Sequence, residues 1–173
     1  MSSQIEITIA GRKIGADHPP FVIAEMSGNH NQSLERALEI VDAAAKTGVH
    51  ALKIQTYTPD TMTLDLDERE FHISDPKSLW AGNSLYKLYG EAYTPWEWHK
   101  PIFDRAREHG IIGFSTPFDD TSVEFLEGLD VPFYKIASFE NTDLPLIRRV
   151  AKTGKPLIIS TGMASIAELD DMV

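Results

Sequence analysis

The sequence predicts an α/β fold, a (β/α)8 TIM barrel of which the chain supplies about five βα units behind an N-terminal β-hairpin. Three observations point there. Short apolar runs alternate five times with amphipathic helical stretches between residues 20 and 173, the pattern of a parallel sheet covered by helices. The first strand-to-helix turn, Glu25–Asn31 (EMSGNHN), lacks the G-x-G-x-x-G expected of an open doubly wound sheet, the competing architecture. A complete barrel needs about 250 residues, and the 173 present stop two turns into a freshly capped helix, as a truncated barrel would.

The elements follow in order. Residues 1–16 hold IEITIAGRKIG, whose apolar and polar residues alternate around Gly11 as in a small hairpin. The first unit pairs Phe21–Glu25 with a helix over Ser33–Thr47. There Leu34, Ala37, Leu38, Val41, Ala44 and Ala45 recur at helical spacing before Gly48. The second pairs Ala51–Gln55 with a helix from Thr94 to His109. Thr94 reads as its N-cap, Pro95 as N1 and Glu97 as N3 of a capping box. The third pairs Ile112–Thr116 with Thr121–Glu127, and the fourth Phe133–Ile136 with Asp143–Thr153, closed by Gly154. The fifth pairs Leu157–Ser160 with SIAELDDMV, where Ser165 and Glu168 form a second capping box. No linker interrupts the chain, so 1–173 reads as one domain. Only the connection Tyr57–Tyr93 breaks the rhythm, and inserts of this length are usually functional.

Composition narrows the partners. With 42% hydrophobic and 24% charged residues the chain can build an ordinary core, and a net charge of −10 removes the basic footprint of nucleic-acid binding. No run approaches the roughly 20 apolar residues of a membrane span, and the start MSSQIEITIAGRKIG lacks a signal peptide's apolar stretch. Cysteine is absent, so disulfides and thiolate metal sites are excluded. A cytoplasmic protein is expected.

In parallel α/β folds chemistry collects at the carboxyl ends of the strands. Those ends read Glu25, then Lys53 with Gln55, Ser115 with Thr116, Lys135 with Ser138 and Glu140, and Ser160 with Thr161. Two lysines lie inside strands, in ALKIQ and FYKIAS. Side chains alternate along a strand, so Lys53 and Gln55 share the face opposite Leu52 and Ile54, and Lys135 lies opposite Tyr134 and Ile136. If the aliphatic pairs meet the helices, both ammonium groups face the interior and repel one another unless an anion sits between them. With the Thr116 and Ser160 hydroxyls nearby, that anion reads as a phosphate or phosphorylated acid.

Blander readings stand beside this one. A strand lysine can be an edge residue reaching water, or the Schiff-base lysine of a barrel aldolase. Glu25 can simply pair with a neighbouring lysine. His30 reads as a hydrogen-bonding loop residue, and His99 and His109 as solvated residues on a surface helix. Trp80, Tyr86, Tyr89, Tyr93, Trp96 and Trp98 read mostly as helix packing, with part of the group free to lid the site. A five-strand piece should expose two open sheet edges and an uncovered apolar interior.

The segments FVIAEMSGNHNQSLERALEIVDAAAKTG, ALKIQTYTPDTMTL, GFSTPFD, FYKIASFE and LIISTGMAS resemble, in order and spacing, the N-terminal half of the sialic acid synthase (N-acetylneuraminate synthase-like) family. KIQTYTPDT with GNSLYKLY and TPWEWH resembles in particular its pseudaminic acid synthase branch. The resemblance implies an enzyme that condenses phosphoenolpyruvate with an open-chain amino-sugar aldehyde, giving a nonulosonic acid and phosphate. N-acetylneuraminate and legionaminate synthases are the alternatives within the family. An inactive phosphate-binding fragment and a Schiff-base aldolase are alternatives outside it.

By motif, Lys53, Thr116, Lys135 and Ser160 correspond to the groups holding the phosphate and carboxylate of phosphoenolpyruvate. Glu25 corresponds to the catalytic acidic residue beside the reacting carbons. Gln55, Asn83, Ser138 and Glu140 correspond to the lining of the substrate pocket. The resemblance also implies a homodimer, a C-terminal antifreeze-like domain, and a divalent Mn or Mg ion held by two histidines on later strands. Those strands, the metal ligands and the antifreeze-like domain all lie outside this chain.

Overall fold

A computed structural model describes residues 6–173; residues 1–5, which the hairpin expectation includes, lie outside the described residues. Strands β1 (Ile7–Ile9) and β2 (Arg12–Ile14) pair antiparallel. The two turn residues, Ala10 and Gly11, both have positive φ, as the tightest hairpin turn requires.

The remaining strands form one parallel sheet in sequential order: β3 (Ile23–Glu25), β4 (Ala51–Thr56), β5 (Ile112–Pro117), β6 (Tyr134–Ile136) and β7 (Leu157–Ile159). Helices α1 (Leu34–Lys46), α4 (Trp96–Glu108), α5 (Asp120–Gly128), α6 (Leu144–Ala151) and α7 (Ile166–Met172) follow successive strands. The connection after β4 is not a bare loop. It folds into the single turn α2 (Pro59–Met62), a 3-10 turn at Arg69–Phe71, and α3 (Leu85–Ala92). No helix among the described residues is long and apolar enough to cross a membrane.

Short polar residues start the helices where the sequence places them. Ser33, Asp119, Asp143 and Ser165 each accept a backbone N–H from the first turn, and Ser165 with Glu168 completes the predicted capping box. The box predicted at α4 is corrected. Its N-cap is Pro95, and the buried Thr94 hydroxyl instead meets His30 Nε2 at 3.2 Å.

Strand alternation divides the apolar residues into two layers. Leu52, Ile54, Tyr134 and Ile136 pack with Val41, Ile102, Ala106, Leu126 and Val150 between sheet and helices. Ala51, Phe114 and Phe133 point the other way and pack with Ile9 of the hairpin, joined by Ile14, Phe21, Ile23, Ile112 and Ile158. The hairpin therefore plugs the N-terminal end of the barrel interior, where the Phe114 and Phe133 rings meet at a 30° tilt with centroids 3.9 Å apart. The expected uncovered apolar interior is met in part: the hairpin buries Ala51, Phe114 and Phe133, while Phe21, Ile23, Ile112 and Ile158 stay partly exposed, and the polar strand ends sit above this layer.

Candidate functional site

Register fixes which side chains meet on the interior face. Glu25 is level with Lys53, and Gln55 with Thr116; one step along, Lys135 is level with Ile158, two residues before Ser160. Lys53 shares its face with Ala51, and Lys135 with Phe133, both of the hairpin-side layer. Both lysines thus face the interior above the phenylalanines, as strand alternation requires.

Each ammonium is held. Lys53 Nζ pairs with Glu25 Oε2, and Glu25 Oε1 accepts the Ser27 N–H at 3.1 Å. The plain ion pair expected as one reading of Glu25 is therefore present. Lys135 Nζ donates to Ser160 Oγ and to the Ile136 carbonyl, each at 2.5 Å. Burial, then the nearby Lys53 ammonium, pull the Lys135 pKa below the ordinary lysine value, while Glu25 and Glu140 act in the opposite sense. The two cations feel one another across a shared space.

That space is a cavity of about 1090 Å³. Lys53, Gln55, Lys135, Ser138, Glu140 and Ser160 all line it. Thr116 is buried beside Gln55, and its hydroxyl has no hydrogen-bond partner; nor has Glu140 Oε2. Orphaned buried polar atoms are rare and point to an absent ligand or water. Burial also holds the Glu140 carboxyl above the usual carboxylate range.

The rest of the wall comes from the long connection and from loop positions that strand-end reading passes over. Trp80 and Tyr89 line the cavity, so part of the predicted aromatic group does border the site. Tyr57 and Phe118, which follow the ends of β4 and β5, line it too and meet edge to face. Burial, with Tyr89 nearby, pushes the Tyr57 phenol up to about 12. Asn141 is another missed residue: its amide donates to the Gly162 carbonyl at 3.0 Å. It ties the turn after β7 down where a Cβ on Gly162 would stand 2.9 Å from Ser138 Oγ. Its signal is its place, one residue beyond the polar run after β6.

Behind the sheet the predicted solvation of His99 is corrected. His99 is fully buried. Its Nδ1–H donates to the Pro95 carbonyl (3.3 Å), so Nε2 accepts the Thr56 hydroxyl (2.8 Å). Thr56 Oγ1 lies 2.6 Å from Ser115 Oγ, which reaches the Ile54 carbonyl at 3.0 Å. Burial pulls the His99 pKa down to about 4. His109 is partly exposed and contacts Asp42 Oδ1 at 2.7 Å.

The family model described as NeuB matches residues 40–173. The chain belongs to the NeuB family. Over 153 residues it is 50% identical to the pseudaminic acid synthase of Campylobacter jejuni, covering 88% of this chain and 44% of that protein. It is 46% identical to the pseudaminic acid synthase of Helicobacter pylori over 90% of this chain and 45% of that one. The crystal structure of N-acetylneuraminic acid synthetase from Leptospira borgpetersenii superposes with a TM-score of 0.84 at 28% identity, covering 98% of this chain and 54% of that one. The chain thus spans less than half the length of the curated relatives it matches.

Within this NeuB-family chain, three predicted site residues do not line the cavity: Glu25, Thr116 and Asn83. Glu25 pairs with the cavity-lining Lys53, and Thr116 is level with the cavity-lining Gln55. Asn83 precedes α3 in a turn where its N–H donates to the Trp80 carbonyl at 3.1 Å. Among the described residues no three His, Asp or Glu side chains converge to hold a metal ion. The residues present therefore do not form a divalent-cation site by themselves.

Proposed function

We propose that this NeuB-family chain forms the phosphoenolpyruvate-holding part of a pseudaminic acid synthase, which joins phosphoenolpyruvate to an open-chain amino-sugar aldehyde. The observation that carries the reading is the pair Lys53 and Lys135 facing one cavity, with the orphaned Thr116 hydroxyl behind its wall, level with the cavity-lining Gln55. A doubly charged phosphate ester relieves their repulsion and supplies the missing hydrogen-bond acceptor. Identity to two synthases so named, near 50%, supports the choice of branch. N-acetylneuraminate and legionaminate synthesis are the neighbouring alternatives.

The chemistry proposed for these residues is as follows. C3 of phosphoenolpyruvate bonds to the aldehyde carbon, and the aldehyde oxygen takes up a proton. C2 gains oxocarbenium character and adds water, which loses a proton. The resulting tetrahedral centre expels phosphate by cleavage of its C2–O bond, and the C2 hydroxyl proton passes to the departing phosphate, leaving a ketone. Lys53, Lys135, Thr116 and Ser160 hold the ester; Glu25, beside Lys53, places negative charge near the cationic C2. Gln55, Ser138 and Glu140 meet the sugar. A cytoplasmic homodimer belongs to the same proposal; the acidic, cysteine-free composition fits the compartment.

Calorimetric titration tests it. Phosphoenolpyruvate is expected to bind the chain, and a chain that binds the sugar but not phosphoenolpyruvate overturns the reading. The depressed pKa of Lys135 favours one competitor, a Schiff-base aldolase. Borohydride reduction with pyruvate decides between them: no adduct is expected on Lys135, and a reduced adduct there replaces the clamp with covalent catalysis.

A further inference from the structure

The loop between β3 and α1 carries three non-glycine residues in the left-handed region: Ser27 (φ 50°), Asn31 (φ 47°) and Gln32 (φ 52°). Such conformations are sterically disfavoured and persist where the surroundings over-determine them. Here they are over-determined. The Gln32 N–H donates to His30 Nδ1 (3.2 Å), leaving the buried His30 to donate from Nε2 to Thr94 Oγ1 (3.2 Å). Arg36 Nε donates to the Asn29 carbonyl at 2.8 Å.

This fixed loop grips the long connection. Gln32 Nε2 donates to the carbonyls of Glu91 (3.0 Å) and Tyr93 (2.7 Å). These lie at the C-terminal end of α3, where a helix leaves its carbonyls unsatisfied. The cap comes from a different βα unit, some sixty residues away in sequence. Beside it, a Cβ on Gly28 would stand 3.0 Å from the Ala92 carbonyl oxygen and 3.2 Å from Ala92 Cβ. The seam leaves room for hydrogen only. Gly28 and Asn29 on one side and Tyr89 and Ala92 on the other all line the cavity. The lysines stand apart from this seam, on β4 and β6.

We propose that Gln32 is a positioning residue for the acceptor aldehyde: its amide caps α3 and seats the long connection as the wall against which the sugar binds. Assigning that wall to the sugar rests on the synthase reading; the capping itself does not.

Hydrogen exchange on the intact chain tests the capping, comparing wild type with Gln32→Ala and Gln32→Glu. Glutamate keeps the size of glutamine and removes both donors. Amides of Leu85–Ala92 are expected to exchange about tenfold faster in both variants, with β4 and β5 unchanged. Unchanged α3 exchange, protection retained by Gln32→Glu, or equal acceleration in the sheet each overturns the proposal. Calorimetry then tests the sugar assignment, with phosphoenolpyruvate and the reduced, unreactive alditol of an N-acetylated amino sugar as probes. Gln32→Ala is expected to weaken the alditol about tenfold and leave phosphoenolpyruvate affinity intact. An unchanged alditol affinity, or an equal loss for both probes, overturns it. If the wild type fails to bind phosphoenolpyruvate, the synthase reading falls, while the exchange result still decides the capping.

Discussion

Two polar clusters, one buried and one half-buried, lie back to back on β4 and β5, one residue apart along each strand. On the helix side Thr56, Ser115 and His99 form a chain. His99 Nδ1–H donates to the Pro95 carbonyl, the Thr56 O–H to His99 Nε2, and the Ser115 O–H is shared between Thr56 Oγ1 and the Ile54 carbonyl. Every member has a partner, and the one titratable group is held neutral. On the interior side Lys53, Gln55 and Thr116 join Lys135 and Glu140. There two cations face one cavity, and a hydroxyl and a carboxyl oxygen stay unpartnered. The strands are the same, but Thr56, Ser115 and His99 are fully buried, whereas Lys53, Gln55, Lys135 and Glu140 are half-buried around the cavity and only Thr116 is fully enclosed. The clusters differ too in whether every polar atom has a partner. A closed cluster joins sheet to helix, and an open one waits for a ligand.

Removing one member from each cluster separates the roles most sharply. Lys53→Ala or Lys135→Ala is expected to weaken phosphoenolpyruvate binding about a hundredfold, roughly 3 kcal/mol. Urea denaturation should show stability unchanged or raised, because a confined cation has gone. If stability falls while affinity holds, the two clusters have been assigned the wrong way round.

Acid probes the closed cluster. The folded-state pKa of His99, about 4, lies below the ordinary 6.5, so the unfolded chain takes up this proton first. Its contribution is complete above pH 6.5 and is lost as pH falls towards 4, by roughly 3 kcal/mol. Urea titrations of wild type and His99→Gln at pH 7 and pH 4.5 should therefore converge at the lower pH. Parallel pH dependences would return His99 to the solvent.

The smallest contrast is between neighbours. Ser115→Ala should cost about 1 to 2 kcal/mol of stability and leave phosphoenolpyruvate affinity alone. Thr116→Val should leave stability within about 0.5 kcal/mol and weaken binding several-fold. Indistinguishable behaviour of the two would dissolve the distinction between the faces.

Much of this is legible in the sequence. Strand alternation alone put Lys53, Gln55 and Lys135 on the interior face, because a period of two leaves each residue only two choices. Helix starts were legible where a short polar side chain caps its own first turn, as at Ser165. Where the polar atom found a remote partner they were not: Thr94 turned to His30 instead of capping α4. His99 was misplaced although its spacing with Ile102, Phe103 and Ala106, all buried, marks the inner stripe of α4. A polar ring on an apolar stripe needs its partner identified, and Thr56 is 43 residues away in sequence. Motif resemblance assigns Asn83 to the pocket, but the fold of the long connection decides where it lies, and no local period encodes that fold.

The central claim is that Lys53 and Lys135 share one anion, and the Lys135 ammonium reports on it directly. Its pKa can be followed by NMR of the side-chain Nζ and Cε resonances, with and without phosphoenolpyruvate. The account predicts a value below that of an ordinary lysine in the free chain, rising by about one pH unit or more on saturation. An ordinary value in the free chain, or one that phosphoenolpyruvate leaves unmoved, would contradict it.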